Sequence, residues 1–229
     1  MTTRAVIVAA TAELLARSSD GDVSTRAVCE AARVQQPVIY RLFGDKEGLL
    51  AATIDSVWDQ YLGLKRAAEQ SEDPLDDLRA GWDSHTSFAL ANPNAYRLLY
   101  GSTAVHRASS AAEAMRLLRA VLDRLAAQGR LLIDPEAASR LMMAANTGVA
   151  LALVLNPALY PDPLLSGLMR DSVIASVVTN SRRAPEPAEA ERVAAITLRN
   201  ALPRSSGTLF TSAEAPLLDE WLERIQTKK

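Results

Sequence analysis

Residues 24–47, STRAVCEAARVQQPVIYRLFGDKE, decide how this chain is read. Ser24 is a side-chain acceptor suited to capping a helix over residues 25–32, and Val28, Ala31 and Ala32 line one face of it at helical spacing. Arg33-Val34-Gln35 is a three-residue break of the length that joins the two helices of a helix-turn-helix. A second short helix over 36–43 follows, with Pro37 in its first turn, where no intrahelical N–H bond is lost. Ile39 and Phe43, four apart, face inward, and Gln36, Val38, Tyr40 and Arg41 are left to point elsewhere. A short helix that spends its outward face on amide, phenol and guanidinium groups is built to touch something polar.

Outward from this stretch, every segment between punctuation marks has helical period and none alternates like a strand. A first helix spans about 3–17, with Ile7, Ala10, Leu14 and Leu15 turned toward the motif. Asp45 caps a fourth helix that runs to about residue 70 and carries Leu49, Leu50, Ile54, Val57, Trp58 and Tyr61. Asp73-Pro74, Asn92-Pro93, Asp134-Pro135, Asp162-Pro163 and Pro187 open further helices. Ser110-x-x-Glu113 reads as a capping box for a helix ending at Gly129, and Thr211-x-x-Glu214 as a second one. The segments 101–110, 181–187 and 203–211 read as the mobile stretches, and no internal repeat is present.

With 229 residues, 48% of them hydrophobic, the chain has the length and composition of a globular protein with a sizeable core. Its opening, MTTRAVIVAATAELL, carries Glu13 and runs straight into an amphipathic helix, unlike a secretory signal. The longest apolar run, about 141–155, is interrupted by Asn146 and reads as too short to cross a bilayer. One cysteine, Cys29, excludes an internal disulfide and suits a reducing cytoplasm, the expected location. The net charge of −2 speaks against a strong general attraction to nucleic acid. In the first 50 residues, Arg4, Arg17, Arg26, Arg33, Arg41 and Lys46 are balanced by Glu13, Asp20, Asp22, Glu30, Asp45 and Glu47. What remains is distribution, with Arg26, Arg41 and Lys46 on or beside the motif's open face.

The run Ala31-Ala32-Arg33-Val34-Gln35-Gln36-Pro37-Val38-Ile39-Tyr40-Arg41-Leu42-Phe43-Gly44-Asp45-Lys46-Glu47 resembles the DNA-binding domain of TetR-family transcriptional regulators, over roughly the first 55 residues. The family usually has Gly where this chain has Arg33, which implies either a positive backbone angle held at some strain or a slightly different turn. Residues 78–102, with Asn92-Pro93 followed by Tyr96-Arg97-Leu98, are similar to the opening of the ligand-binding domain in one branch of that family. The resemblance implies an all-α protein. A small helix-turn-helix domain, 1–48, would be joined through a long helix to a larger helical bundle, 49–229, for ligand binding and dimerisation. It further implies a dimer on double-stranded operator DNA, most simply as a repressor released from a palindromic site by a small-molecule effector.

Gln36 can pair with an adenine edge, Arg26 and Arg41 can fork onto guanine or phosphate, and Tyr40 and Lys46 fit phosphate contacts, with Lys46 at the start of a helix. The family's Gln and Pro in the major groove correspond to Gln36 and Pro37, and the expected DNA set is completed by Thr25, Gln35 and Val38. Trp82, His85, Phe88, Tyr96, Tyr100, Met115, Met142, Met143 and Asn146 are candidates for the effector pocket, where apolar groups converge with a few polar ones. The alternative for these positions is plain core. Asn146, polar inside an apolar helix, is suited either to bond a ligand or to fix dimer register. The apolar helices within 136–181, with small residues Ala144, Ala145, Gly148 and Ala150, are the expected homodimer contact.

His85 and His106 lack the spacing of a zinc site, and Cys29 stands where the family packs a small alanine. No nucleophile–base pair, metal cluster or phosphate loop is present, so neither a catalytic role nor a cofactor is expected, and no membrane partner. The residues also admit a helical protein-interaction or ligand-binding module that does not touch DNA.

Overall fold

The computed structural model describes residues 2–101, 107–162, 164–179, 187–202 and 210–227. The described residues form eleven helices: α1 (Thr3–Arg17), α2 (Thr25–Ala32), α3 (Gln36–Phe43), α4 (Lys46–Ala67), α5 (Pro74–Ala91), α6 (Pro93–Gly101), α7 (Arg107–Ala127), α8 (Pro135–Leu155), α9 (Leu164–Val177), α10 (Pro187–Ala201) and α11 (Glu214–Thr227). The first three have the bounds read from the sequence, because each is bracketed by a local signal. Thr2 caps α1, Ser24 accepts from the Ala27 N–H at 3.1 Å, and Pro37 falls at the start of α3. Two expectations shift. The fourth helix ends at Ala67, and α7 starts at Arg107, so Ser110 lies within its first turn instead of capping it. His106 and most of the three segments expected to be mobile lie outside the described residues.

The chain divides into two compact units. The first comprises Met1–Ala68, Ser84–Ala114 and Ala150–Pro163. Its head is a cluster of Ile7, Leu15, Val23, Val28, Ala32, Ile39 and Leu49, with Ala95 of α6 buried in the same cluster. Deletion of a large member such as Ile39, fully buried, would cost about 2–5 kcal/mol. Two buried threonines return their hydroxyls to their own helices, Thr11 to the Ile7 carbonyl and Thr53 to that of Leu49, both at 2.8 Å. Helix α4, 22 residues and about 33 Å long, carries Leu49 and Thr53 near one end and Trp58, Tyr61 and Leu62 further along, all buried.

The second unit comprises Glu69–Asp83, Met115–Val149 and Leu164–Lys229. Arg124 clamps the start of α5 by donating to Asp77 Oδ2 at 2.5 Å and the Ser71 carbonyl at 2.6 Å, and Arg130 donates to Asp73 at 2.6 Å. A short extended pairing joins the segment after α7 to the end of α9, with Leu132 N–H on the Val177 carbonyl and Thr179 N–H on that of Arg130. The expected capping box of α11 forms reciprocally, Thr211 N–H to Glu214 Oε2 at 2.9 Å and Glu214 N–H to Thr211 Oγ1 at 3.3 Å. Helix α8 corrects the sequence reading of its apolar run: at 21 residues it is long and apolar enough to cross a membrane. It nevertheless buries Met142, Asn146, Val149 and Val154 within the fold, as the core helix of a helical bundle does.

Candidate nucleic-acid interface

Helices α2 and α3 are set by the turn between them. Arg33 adopts φ 54° and ψ 44°, the left-handed conformation, and the Val34 N–H reaches back to the Cys29 carbonyl at 3.0 Å to close the turn. Of the two outcomes left open by an arginine at this position, the structure selects the positive angle. Gly44 ends α3 with φ 83°, and Asp45 caps α4 through the Gly48 N–H at 2.7 Å. Gly48 is required sterically, since a Cβ there would stand 2.1 Å from the Phe43 carbonyl oxygen. Helix α1 reaches the far end of α3 through Arg4, whose Nη1 donates to the Leu42 carbonyl at 3.0 Å while its guanidinium lies 4.7 Å from the Phe43 ring centroid.

Gln35, Gln36, Pro37, Tyr40 and Arg41 are exposed on and before α3, and Ile39 is fully buried beneath them. Gln36 Nε2 donates to Tyr40 Oη at 3.2 Å, so the two share one face, four residues apart. Val38 departs from the expectation that it points outward: it is half-buried and packs on the head cluster, which leaves only part of its surface for a ligand. Thr25 is half-buried at the start of α2, while Arg26 is exposed and its Nε donates to Glu30 at 3.0 Å. Lys46 is held 2.6 Å from the Asp22 carboxylate, which that contact keeps below the usual carboxylate range. Arg33 and Arg41 are exposed and carry no ion pair among the described residues, so they are the cations least committed elsewhere. Cys29 is half-buried against the head cluster, a packing position.

Of the candidate effector residues, the structure brings four together in the first unit. His85, Phe88, Tyr96 and Tyr100 gather with Trp58 and Tyr61 of α4, two residues outside the expected set. Tyr61 and Phe88 stack at 4.4 Å between centroids, and Trp58 meets Phe88 edge-on at 5.4 Å. A polar thread runs through the cluster, with His85 Nε2 2.8 Å from Tyr96 Oη and His85 Nδ1 3.4 Å from Tyr61 Oη. Burial, reinforced by the Lys65 charge, pushes the His85 imidazole down to about 4, so the ring is neutral at physiological pH. Burial likewise lowers the Lys65 ammonium to about 8. The Trp58 indole N–H is buried with no acceptor among the described residues.

The remaining candidates belong to the second unit. Asn146 donates to the Trp82 carbonyl at 3.2 Å and Trp82 Nε1 to Ser166 Oγ at 2.9 Å, a chain linking α5, α8 and α9. Met142 is buried, and Met115 and Met143 are half-buried. No group of three His, Cys, Asp or Glu side chains able to hold a metal ion occurs among the described residues.

Two family matches cover more than half of the chain: residues 7–53 match "Bacterial regulatory proteins, tetR family", and residues 78–163 match "Tetracyclin repressor-like, C-terminal domain". No curated protein matches the sequence. The fold is shared with SmeT, the repressor of the Stenotrophomonas maltophilia multidrug efflux pump SmeDEF, at 24% identity and TM-score 0.63 over 82% of this chain and 98% of that one. It is shared also with a TetR transcription regulator from Haloarcula marismortui, at 16% identity and TM-score 0.64 over 77% and 98% of the two chains. A third is the transcriptional regulator FadR from Bacillus subtilis, solved in complex with stearoyl-CoA, at 16% identity and TM-score 0.61 over 75% and 97%. With a helix-turn-helix whose second helix turns Gln36, Pro37, Tyr40 and Arg41 outward, and with both family domains matched in order, this chain belongs to the TetR family of DNA-binding transcriptional regulators.

Proposed function

We propose that the protein is a cytoplasmic, homodimeric repressor that binds a palindromic operator through α3 and is released from it by a small-molecule effector. The observation that carries the DNA reading is the outward face of α3, exposed, polar and topped by Arg41, which carries no ion pair among the described residues, on a fully buried Ile39. Gln36 and Arg41 are suited to base edges, Tyr40, Arg26 and Lys46 to phosphates, and Thr25, Gln35, Pro37 and Val38 to the remaining groove contacts.

Dimerisation is supported by apolar side chains that the monomer leaves in water. Leu141 and Leu155 of α8 are 43% and 51% exposed, and Leu164 and Leu168 of α9 are 70% and 68% exposed. On α8 the exposed Ala144 and Gly148 lie between the two leucines and admit close approach of a second helix. A two-fold axis through such a face would present two copies of α3 to successive major grooves, about 34–36 Å apart.

The functional division follows as residues 1–48 for DNA and 49–229 for effector and dimer. Within the first unit α4 carries both the head core and the aromatic cluster, so it is the lever by which a ligand favours one placement of the head over another. The Trp58 N–H, without an acceptor among the described residues, and the His85–Tyr96 pair are the hydrogen-bonding groups that cluster would offer an effector. Selection of binding sites from a random DNA library tests the operator claim. An inverted repeat with half-site centres about one helical turn, or a multiple of it, apart is expected; a single unrepeated half-site, or no enriched motif, would overturn it.

A further inference from the structure

The turn from α1 to α2 is fixed from a distance. Asn94, buried in the first turn of α6, donates through Nδ2 to the Leu15 carbonyl at 2.8 Å and the Ser18 carbonyl at 2.7 Å. These carbonyls are the negative end of α1. Gly21, with φ 78°, lies close over the same amide, since a Cβ there would come 3.4 Å from Asn94 Oδ1. Inside the turn the Ser18 hydroxyl accepts the Gly21 and Asp22 N–H groups at 3.0 and 3.1 Å. On its far side Val23 is buried in the head cluster. The turn is thus a built platform, and what it presents is the Asp22 carboxylate, 2.6 Å from Lys46 Nζ. Both side chains stay open to water, Asp22 at 58% and Lys46 at 39% exposure. A pair of that exposure is weak enough for a phosphate to replace the carboxylate.

We propose that Asp22 competes with DNA phosphate for Lys46, and that Asn94 sets the strength of this competition by holding the turn that presents Asp22. Both are positioning residues acting through Lys46, and the proposal rests on the reading that Lys46 contacts phosphate. Asp20 supplies an internal control. It carries the same charge on the same turn but spends its carboxylate on the Ser18 hydroxyl and the Asp22 N–H, at 2.7 and 3.1 Å.

The test is fluorescence anisotropy of the full-length protein on the tightest-binding duplex selected from a random-sequence library, across a salt series. Asp22→Asn should tighten binding about three- to tenfold at 0.1 M salt and Asp20→Asn less than twofold, the difference vanishing in a Lys46→Ala background. Asn94→Ala should shift affinity in the same direction as Asp22→Asn and add nothing to it. Ser18→Ala, which removes the hydroxyl that holds the Gly21 and Asp22 N–H groups and leaves the carbonyls bonded to Asn94 in place, tests the turn if Asn94→Ala lowers the melting temperature too far for binding to be measured; it is made in an Asp20→Asn background, because the same hydroxyl also holds the Asp20 carboxylate. Equal gains from Asp22→Asn and Asp20→Asn, or an Asp22→Asn gain that survives Lys46→Ala, overturn the competition. Additivity of Asn94→Ala with Asp22→Asn overturns the role of Asn94. If Lys46→Ala alone leaves affinity unchanged, the phosphate reading of Lys46 fails, and the competition falls with it.

Discussion

Replacing Arg33 by glycine separates backbone strain from DNA contact at one position. Arg33 holds φ 54° and is the one non-glycine residue with positive φ among the described residues. The left-handed conformation costs an L-residue about 1–2 kcal/mol. Glycine removes that strain but gives the unfolded chain more freedom, which returns about 0.4–1 kcal/mol. The expected net gain for Arg33→Gly is therefore about 0.5–1 kcal/mol, or roughly 1–4 °C in melting temperature for a chain of this size. Arg33→Ala keeps the strain and should lie within about 0.5 kcal/mol of the parent. DNA binding should behave differently. Arg33 is exposed and unpaired among the described residues beside the α3 face, so both variants should lose one phosphate contact and flatten the salt dependence by about one unit. Calorimetric melting and anisotropy titrations on the same three proteins read both effects. An Arg33→Gly protein no more stable than Arg33→Ala would refute the strain argument, and an unchanged salt slope would refute the contact.

Other perturbations have equally definite outcomes. Gly48→Ala places a Cβ 2.1 Å from the Phe43 carbonyl oxygen, so chemical denaturation should show a loss of about 1–3 kcal/mol. Because the folded His85 ring titrates near 4 and an unfolded one near 6.5, the unfolded chain takes up a proton in that window that the folded chain refuses. Stability should therefore fall by about 2–4 kcal/mol as pH drops from 6.5 to 4 and level off below, on top of other titrations, a component absent in His85→Gln. Leu168→Glu puts a charge on the exposed face of α9; sedimentation should report a shift to monomer, and operator affinity should drop about tenfold or more as the two heads lose their link.

The head was legible in the sequence because its signals are local. Ser24 and Asp45 each stand three residues before the N–H they cap, Pro37 falls in the first turn of its helix, and Ile39 is separated from its polar neighbours by helical period alone. Val38 differs from its outward expectation because a short helix on a small core buries more than one stripe. Asn94 carries no mark in the sequence, since its partners lie 76 and 79 residues away and no local pattern signals such a bond. The aromatic set was legible in part. His85, Phe88, Tyr96 and Tyr100 sit on consecutive helices, whereas Trp58 and Tyr61 lie on α4, more than twenty residues earlier, and join them only through tertiary packing. Asn146 stood out as a polar residue in an apolar helix, and its bond to the Trp82 carbonyl gives that residue a structural partner.

The central claim, that α3 reads an operator, is tested most directly by anisotropy of the purified protein on DNA from its own upstream intergenic region, with scrambled competitor and a salt series. Tight, competitor-resistant binding is expected, and Tyr40→Ala and Arg41→Ala should each weaken it by about tenfold or more. Binding no better than to scrambled DNA at low salt, followed by no enriched motif from a random library, would contradict the claim.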